Sequence, residues 1–229
     1  MPDPVELERL RAQAAGDPDV AGLVVSGSYA RDLATARSDI DAYVILSAPG
    51  RDWSPSRGAG LDLAVMSVDQ LADVSDRWQR YAYRGARVVL DRLDGRIGAL
   101  VEAQATLRPA EADALVREQL DGYVNFAYRA AKNRRDGHDD LARLEEIEAA
   151  PWFLWTLFAL FGRVRPYNKY LRWELENYPL PAPWTAGHLI TSLTDRPSAL
   201  FADLEPEARA RGFGDVLDAW GDDLELVRR

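Results

Sequence analysis

The sequence predicts an α+β fold, with a small mixed β-sheet domain followed by an all-helical bundle domain. Short apolar segments typical of strands occur only before residue 92. Helical periodicity dominates from residue 96 onwards, and strand-like alternation disappears there. We therefore place the domain boundary near residue 107, with a first domain over 1–107 and a second over 108–229.

The first domain is predicted to alternate helices and strands. Strands are expected where valine, isoleucine and leucine cluster, and helices where a capping serine or an amphipathic pattern occurs. The expected order is helix 4–15, strand 20–26, short helix 29–35, strand 38–46, loop 48–60, strand 61–67, a helix capped by Ser67, and strand 86–91.

The second part of the chain is predicted to be helical throughout. Periodic apolar positions mark helices over 96–106, 109–135, 139–161 and 167–177, and recur to the C-terminus. The helix at 167–177 is expected to open at Pro166, because proline is tolerated in the first helical turn.

Composition excludes several classes of protein. The 229 residues carry a net charge of −9, so binding to nucleic acid, which depends on many basic contacts to phosphate, is not expected. The cysteine count is zero, which excludes disulfides, thiol nucleophiles and cysteine–zinc sites, and fits a cytoplasmic protein. No secretory signal is evident, and the longest apolar run, 152–162, is too short to span a membrane.

Three aspartates and a Gly-Ser pair form the main candidate site. Gly27 and Ser28 stand where a strand turns into a helix, a place that favours phosphate binding. Asp39 and Asp41 lie two residues apart on a strand, so both side chains project from one face. Asp62 is an isolated acid in the next apolar strand. Three such acids can hold two Mg²⁺ ions for an in-line phosphoryl transfer.

This pattern resembles the signature of the DNA polymerase β-type nucleotidyltransferase superfamily. The signature is Gly-Ser, ten residues, Asp-Ile-Asp and a later isolated aspartate, and the resemblance is dense over residues 24–46. The forms Gly-Ser-x-Ala-Arg and Ser-Asp-Ile-Asp are similar to the small bacterial members, including the aminoglycoside and lincosamide nucleotidyltransferases. One departure is Asp32, where relatives commonly have glycine.

The resemblance implies roles for individual residues. Ser28 and Ser38 would contact phosphate, with Gly27 and Arg31 as further nucleotide-binding residues. The acids Asp39, Asp41 and Asp62 would be the catalytic metal ligands. The general base would be Asp62 itself or a glutamate from the helical half; the residues leave both open.

Two lysines form a second candidate set. Among 28 basic residues only Lys132 and Lys169 are lysines, and both occupy polar positions of otherwise apolar helices. This layout resembles the helical domain of antibiotic adenylyltransferases, in which basic residues reach the nucleotide phosphates. The resemblance implies that either lysine would stabilise the leaving pyrophosphate.

The leading hypothesis is a Mg²⁺-dependent enzyme that moves AMP from ATP to a hydroxyl of a small molecule, such as an antibiotic. One alternative keeps the chemistry and changes the acceptor to a protein, as in nucleotidyltransferase antitoxins. Another is a nucleotide-binding domain without catalysis. The sequence leaves the acceptor, the nucleobase and the oligomeric state open.

Overall fold

The protein is described here by a computed structural model that covers residues 4–51, 53 and 60–229. Most of the predicted loop at 48–60, namely positions 52 and 54–59, lies outside these described residues. The chain divides into two compact units, Met1–Thr106 and Leu107–Arg229. The α+β fold class is confirmed, because the first unit holds a mixed sheet and the second is helical.

The first unit is built on a four-stranded sheet in the order β3-β2-β1-β4. Its strands are β1 (Val20–Val25), β2 (Ile40–Leu46), β3 (Leu61–Ser67) and β4 (Arg87–Asp91). Strand β1 pairs antiparallel with both β2 and β4, whereas β2 and β3 run parallel. The valine- and isoleucine-rich composition of β1 and β2 suits these central, mostly buried positions.

The helices of this unit cover both faces of the sheet. They are α1 (Pro4–Gly16), α2 (Gly27–Ala30), α3 (Val68–Ala72), α4 (Arg77–Arg80) and α5 (Arg96–Ala105), with a 3₁₀ turn at Tyr81–Tyr83. Leu10 of α1 packs with Leu23 and Val44 on one face. Leu71 of α3 and Ile97 of α5 belong to the apolar cluster of the other face. Side chains that alternate along β2 therefore reach two separate apolar layers.

Helix α2 is shorter and earlier than predicted. The expected helix at 29–35 is wrong in its bounds, since the helical residues are Gly27–Ala30. Asp32 adopts a left-handed conformation with φ of 58°, which ends the helix. Aspartate is one of the few residues other than glycine that tolerate such a φ.

The second unit is helical, as predicted. Its helices are α6 (Pro109–Arg135), α7 (Asp139–Leu160), α8 (Leu171–Asn177), α9 (Ala186–Asp195), α10 (Phe201–Ala210), α11 (Gly214–Asp218) and α12 (Leu224–Val227). Helices α6 and α7 pack closely: the rings of Tyr123 and Phe153 lie 5.3 Å apart, edge to face. At Gly122 an added Cβ would lie 2.1 Å from the Trp152 ring, so this approach requires glycine.

The predicted helix at 167–177 is interrupted. Residues Asn168–Tyr170 form a 3₁₀ turn, and α8 begins only at Leu171. Tyr170 has φ of −109° and ψ of 5°, outside the α-helical region, so a continuous helix from Pro166 does not form. Lys169 consequently lies in the turn and not in the helix. Within the described parts of the chain, no helix combines the length and the apolar character that a membrane crossing requires.

Candidate active site

The three predicted acids come together at one edge of the first unit. Asp41 of β2 stands directly opposite Asp62 of β3 in the parallel register, and Asp39 precedes β2 by one residue. One carboxylate oxygen from each residue lies within 4.8 Å of the other two. Asp39 and Asp62 are exposed, and Asp41 is half-buried. Three negative charges at this spacing repel one another unless a cation lies between them.

The register that aligns the acids begins immediately beside them. The backbone N–H of Ile40 donates to the carbonyl of Gly60 at 2.8 Å, which starts the pairing of β2 with β3. The Ile40 side chain is buried in an apolar cluster with Val25. Because neighbouring side chains on a strand point to opposite faces, burying Ile40 directs Asp39 and Asp41 to the other face.

The Gly-Ser turn, residues 26–31, packs directly against Asp41. The N–H of Ser26 donates to the backbone carbonyl of Asp41 at 2.8 Å. Gly27 has φ of +63°, and a Cβ added there would lie 1.6 Å from Asp41 Oδ2. Glycine is therefore required at position 27 for two separate reasons, the backbone conformation and the space that the carboxylate occupies.

Of the two candidate phosphate-binding serines, Ser28 lies within this turn and Ser38 lies in the loop before β2. Ser28 is the second residue of α2 and is buried, with 2% of its surface exposed. Ser38 is half-buried, and its Oγ accepts a hydrogen bond from the N–H of Thr35 at 2.9 Å. That contact closes the loop before β2 and places Ser38 next to Asp39. Their assignment to phosphate stays a prediction.

Arg31 supports the Gly-Ser turn from inside the unit. Its side chain is buried, and its guanidinium donates to the carbonyls of Gly27 at 2.7 Å and Tyr81 at 3.0 Å. It also lies 5.4 Å from the centre of the Tyr81 ring. These contacts give Arg31 a positioning role that the sequence did not predict. Its contact with the nucleotide stays a prediction.

Asp32 lies at the surface beside the turn. Its carboxylate forms an ion pair with Arg87 of β4, and both side chains are mostly exposed. A positively charged arginine therefore stands beside the negative charge of Asp32.

The two candidate lysines belong to the second unit. Lys132 lies on α6, with its Nζ 5.3 Å from the centre of the Tyr128 ring. Lys169 is exposed in the 3₁₀ turn before α8, with its Nζ 5.1 Å from the centre of the Tyr170 ring. The predicted role of either lysine in binding pyrophosphate stays a prediction.

A cavity that sequence reasoning missed lies on the same sheet face as the acids. It has a volume of about 290 Å³, and its lining includes Tyr43, Ala64 and Met66. Tyr43 follows Asp41 by two residues, and Ala64 follows Asp62 by two, so strand alternation places all four side chains on one face. That periodicity was available in the sequence, but the remaining lining residues come from later elements of the unit.

Comparison with known proteins identifies the family. The family model for the nucleotidyltransferase domain matches residues 7–124 of the sequence, slightly more than half of the chain. The matched range runs from α1 into α6 and contains the three acids and the Gly-Ser turn. The chain belongs to the nucleotidyltransferase domain family.

The chain was also compared with solved structures and with curated proteins. A nucleotidyltransferase-like protein from Exiguobacterium sibiricum 255-15 is similar to this chain with a TM-score of 0.43 and 13% sequence identity. The match covers 92% of this chain and 76% of that chain. No curated protein matches the chain.

The family determines the general activity. The protein is a nucleotidyltransferase, and a nucleoside triphosphate is its substrate. The acids of β2 and β3 lie inside the matched domain, on the edge of the sheet that carries the Gly-Ser turn.

Proposed function

We propose that the protein transfers AMP from ATP to a hydroxyl group of a small molecule, such as an antibiotic, in a Mg²⁺-dependent reaction in the cytoplasm. The observation that carries this proposal is the convergence of Asp39, Asp41 and Asp62 beside the Gly-Ser turn of a nucleotidyltransferase domain. Nucleotidyl transfer requires a bound triphosphate next to a metal ion, and here the three carboxylates lie beside a turn that suits phosphate binding.

The residues present fit magnesium. All three donors are carboxylates, the oxygen ligands that Mg²⁺ prefers, and their oxygens are close enough to share a cation. Because Gly27 has no side chain, the carboxylate of Asp41 has space for its position beside the turn. Magnesium bound to such acids neutralises the triphosphate and polarises the phosphorus that is attacked.

The proposed step is a single in-line displacement. The oxygen of the acceptor hydroxyl forms a bond to the α-phosphorus of ATP, and the bond from that phosphorus to the bridging oxygen breaks. Pyrophosphate leaves with the electron pair of that bond. We assign the hydroxyl proton to Asp62, because this exposed carboxylate stands on β3, on the side of Asp41 opposite the Gly-Ser turn.

In this proposal the remaining candidate residues bind the phosphates or position the turn that binds them. Gly27 and Ser28 lie in the turn that would receive the triphosphate, and Ser38 adjoins the first metal ligand. Arg31 would contribute chiefly by holding the turn. Lys132 or Lys169 would neutralise the pyrophosphate as it departs.

The test is transfer of label from ATP carrying ³²P at the α-phosphate to a panel of hydroxylated small molecules, with and without Mg²⁺. Asp39→Asn should reduce transfer by about 100-fold or more, because it removes a charged metal ligand. Asp32→Asn is the matched control: it removes an exposed charge a few residues away, and asparagine tolerates the left-handed backbone there.

Three outcomes would contradict the proposal. Equal transfer by Asp39→Asn and the wild type would exclude the acids from the reaction. Label that appears on a co-purified protein, and on no small molecule, would identify the acceptor as a protein. ATP binding without transfer to any acceptor would indicate a domain that only binds nucleotide.

A further inference from the structure

The first half of helix α7 carries an exposed apolar stripe, formed by Leu141, Leu144 and Ile147. These side chains expose 46%, 60% and 57% of their surfaces. A step of three residues along a helix turns back by about 60°, so the three side chains form one row over neighbouring turns. Elsewhere in the described chain, exposed large apolar side chains occur one at a time. Single exposed apolar residues are ordinary, whereas a row of them marks an interaction surface.

The opposite face of α7 packs the helix into the second unit. Ala142, Glu146 and Ala149 are fully buried there, and their spacing of four and three residues places them along one side of the helix. The core of the unit therefore does not use the stripe, whose side chains stay in contact with water.

Two acids lie in the same row as the stripe. Asp140 comes one helical turn before Leu144 and Glu148 one turn after it, and both acids are exposed. Asp140 Oδ1 accepts a hydrogen bond from the N–H of Leu141 at 2.9 Å. Within the part of the chain that the structure describes, neither carboxylate forms an ion pair. The stripe therefore carries two negative charges with no opposite charge beside them.

The basic side chains near the stripe are held in contacts with other helices. Arg143 donates to the carbonyl of Thr194 at 2.8 Å and to that of Asp195, at the end of α9. Arg129 of α6 pairs with Glu145 at 2.8 Å. Both arginines thus join α7 to its neighbours in the unit. The outer face of the helix remains apolar and acidic.

Two copies of this chain could not pair through the stripe without opposing like charges. In an antiparallel pair centred on Leu144, Asp140 of one copy would face Glu148 of the other. In a parallel pair, each acid would face the same acid of the other copy. Like charges that oppose one another across an interface weaken association. The charge of the stripe therefore favours a different protein as its partner.

We propose that the stripe binds an amphipathic helix of another protein, in which lysine or arginine residues flank an apolar row. A helix suits this surface because the stripe runs along the convex side of α7, where the ridges of a second helix can pack. The basic residues of the partner bind Asp140 and Glu148. The stripe extends about 9 Å along the helix axis, so the interface is small and the association reversible. This inference does not depend on the proposed function.

The experiment measures binding of two synthetic peptides to the full chain by fluorescence anisotropy. One peptide is an amphipathic helix with a leucine row flanked by lysines, and its counterpart has glutamates in place of the lysines. The lysine peptide should bind about tenfold more tightly, because its charges are opposite to those of the two acids. Leu144→Gln with Ile147→Gln should weaken its binding by about tenfold. Val88→Gln is the control, because Val88 is an exposed valine of β4.

A second pair of variants tests the charges. Asp140→Asn with Glu148→Gln should abolish the preference for the lysine peptide. Asp94→Asn with Glu102→Gln is the matched control, because it removes two exposed charges from the first unit and changes the net charge equally. Asparagine tolerates the positive φ of position 94. All the replaced side chains are exposed, so thermal melts followed by circular dichroism should show folded variants.

Three results of the peptide titrations would overturn the inference. These are no binding of the lysine peptide, equal binding by the Leu144→Gln and Ile147→Gln double variant, and a preference for lysine that survives the loss of both acids. Sedimentation of the chain alone adds a fourth: a dimer that dissociates on Leu144→Gln would assign the stripe to a second copy. Label transfer from ATP plays no part in these measurements, so the two proposals fail separately.

Discussion

Replacing Gly27 by alanine tests the relation between the Gly-Ser turn and the three acids, Asp39, Asp41 and Asp62. Gly27 has φ of +63°, a conformation that costs a residue with a Cβ about 1–2 kcal/mol. The new Cβ would also lie 1.6 Å from Asp41 Oδ2, whereas real Cβ contacts essentially never fall below 3.0 Å. The carboxylate or the turn must therefore move by at least 1.4 Å, the difference between these two distances.

A displacement of that size is large compared with the tolerance of a reacting site. A misplacement of about 1 Å can cost a factor of about 100 in rate, so we expect Gly27→Ala to reduce nucleotidyl transfer at least that much. The backbone conformation alone should cost about 1–2 kcal/mol of stability. Transfer of α-phosphate label measures the first quantity, and urea denaturation measures the second.

Two control variants separate backbone strain from the clash. Gly50 has φ of +86° but no atom within 4 Å of an added Cβ, so Gly50→Ala carries the strain alone. Gly98 has open space and no positive φ, so Gly98→Ala carries neither. If Gly27→Ala transferred label within a few-fold of Gly50→Ala, the close contact with Asp41 would have no bearing on the activity and the reasoning would be refuted.

Three further changes test the packing around the site and the helical unit. Arg31→Met should destabilise the first unit by about 3 kcal/mol, because buried carbonyls lose their hydrogen-bond donor. Urea denaturation measures this loss. Unchanged stability together with weaker ATP binding would instead show that Arg31 binds the nucleotide. Glu146→Ala should reduce the stability of the second unit by about 3 kcal/mol in the same measurement, since this fully buried carboxylate pairs with Arg134. A loss of stability below about 1 kcal/mol would show that the ion pair contributes little. The hydrogen bond from Arg228 lowers the pKa of Glu205 below its ordinary value of 4.5. The ionised Glu205 therefore stabilises the fold above pH 4.5, and this stabilisation is lost as the pH falls through the lowered pKa. Thermal melts should show Glu205→Gln less stable than wild type at pH 7, by about 1 kcal/mol or less, with the difference disappearing in acid; a difference that persists in acid would contradict this account.

Local patterns in the sequence were sufficient to predict the acids. Asp39 and Asp41 share a strand face because side-chain direction alternates with a period of two, which depends on nothing beyond the strand itself. Asp62 stood out because an acid between Leu61 and Leu63 is unusual in an apolar strand. The parallel register that sets Asp62 opposite Asp41 is a tertiary fact, and the sequence supplied only the expectation of neighbouring strands.

The errors of sequence reasoning have identifiable physical causes. The helix after Gly27 ends early because Asp32 takes a left-handed backbone, a conformation that periodicity does not report. Arg31 was expected to bind nucleotide, and the structure shows it donating to the carbonyls of Gly27, four residues away, and of Tyr81, 50 residues away. The cavity combines strand residues with Tyr83 and Gln104, which only folding brings together.

By itself the sequence predicted the α+β class, the family signature and the shared strand face of Asp39 and Asp41, because these follow from patterns within single helices, strands and turns. The tertiary structure decided which atoms meet: the contact of Gly27 with Asp41, the burial of Arg31, and the aromatic cavity beyond the acids. The reason is physical. Periodicity and turn chemistry act between near neighbours along the chain, whereas close packing selects contacts between segments that the sequence holds far apart.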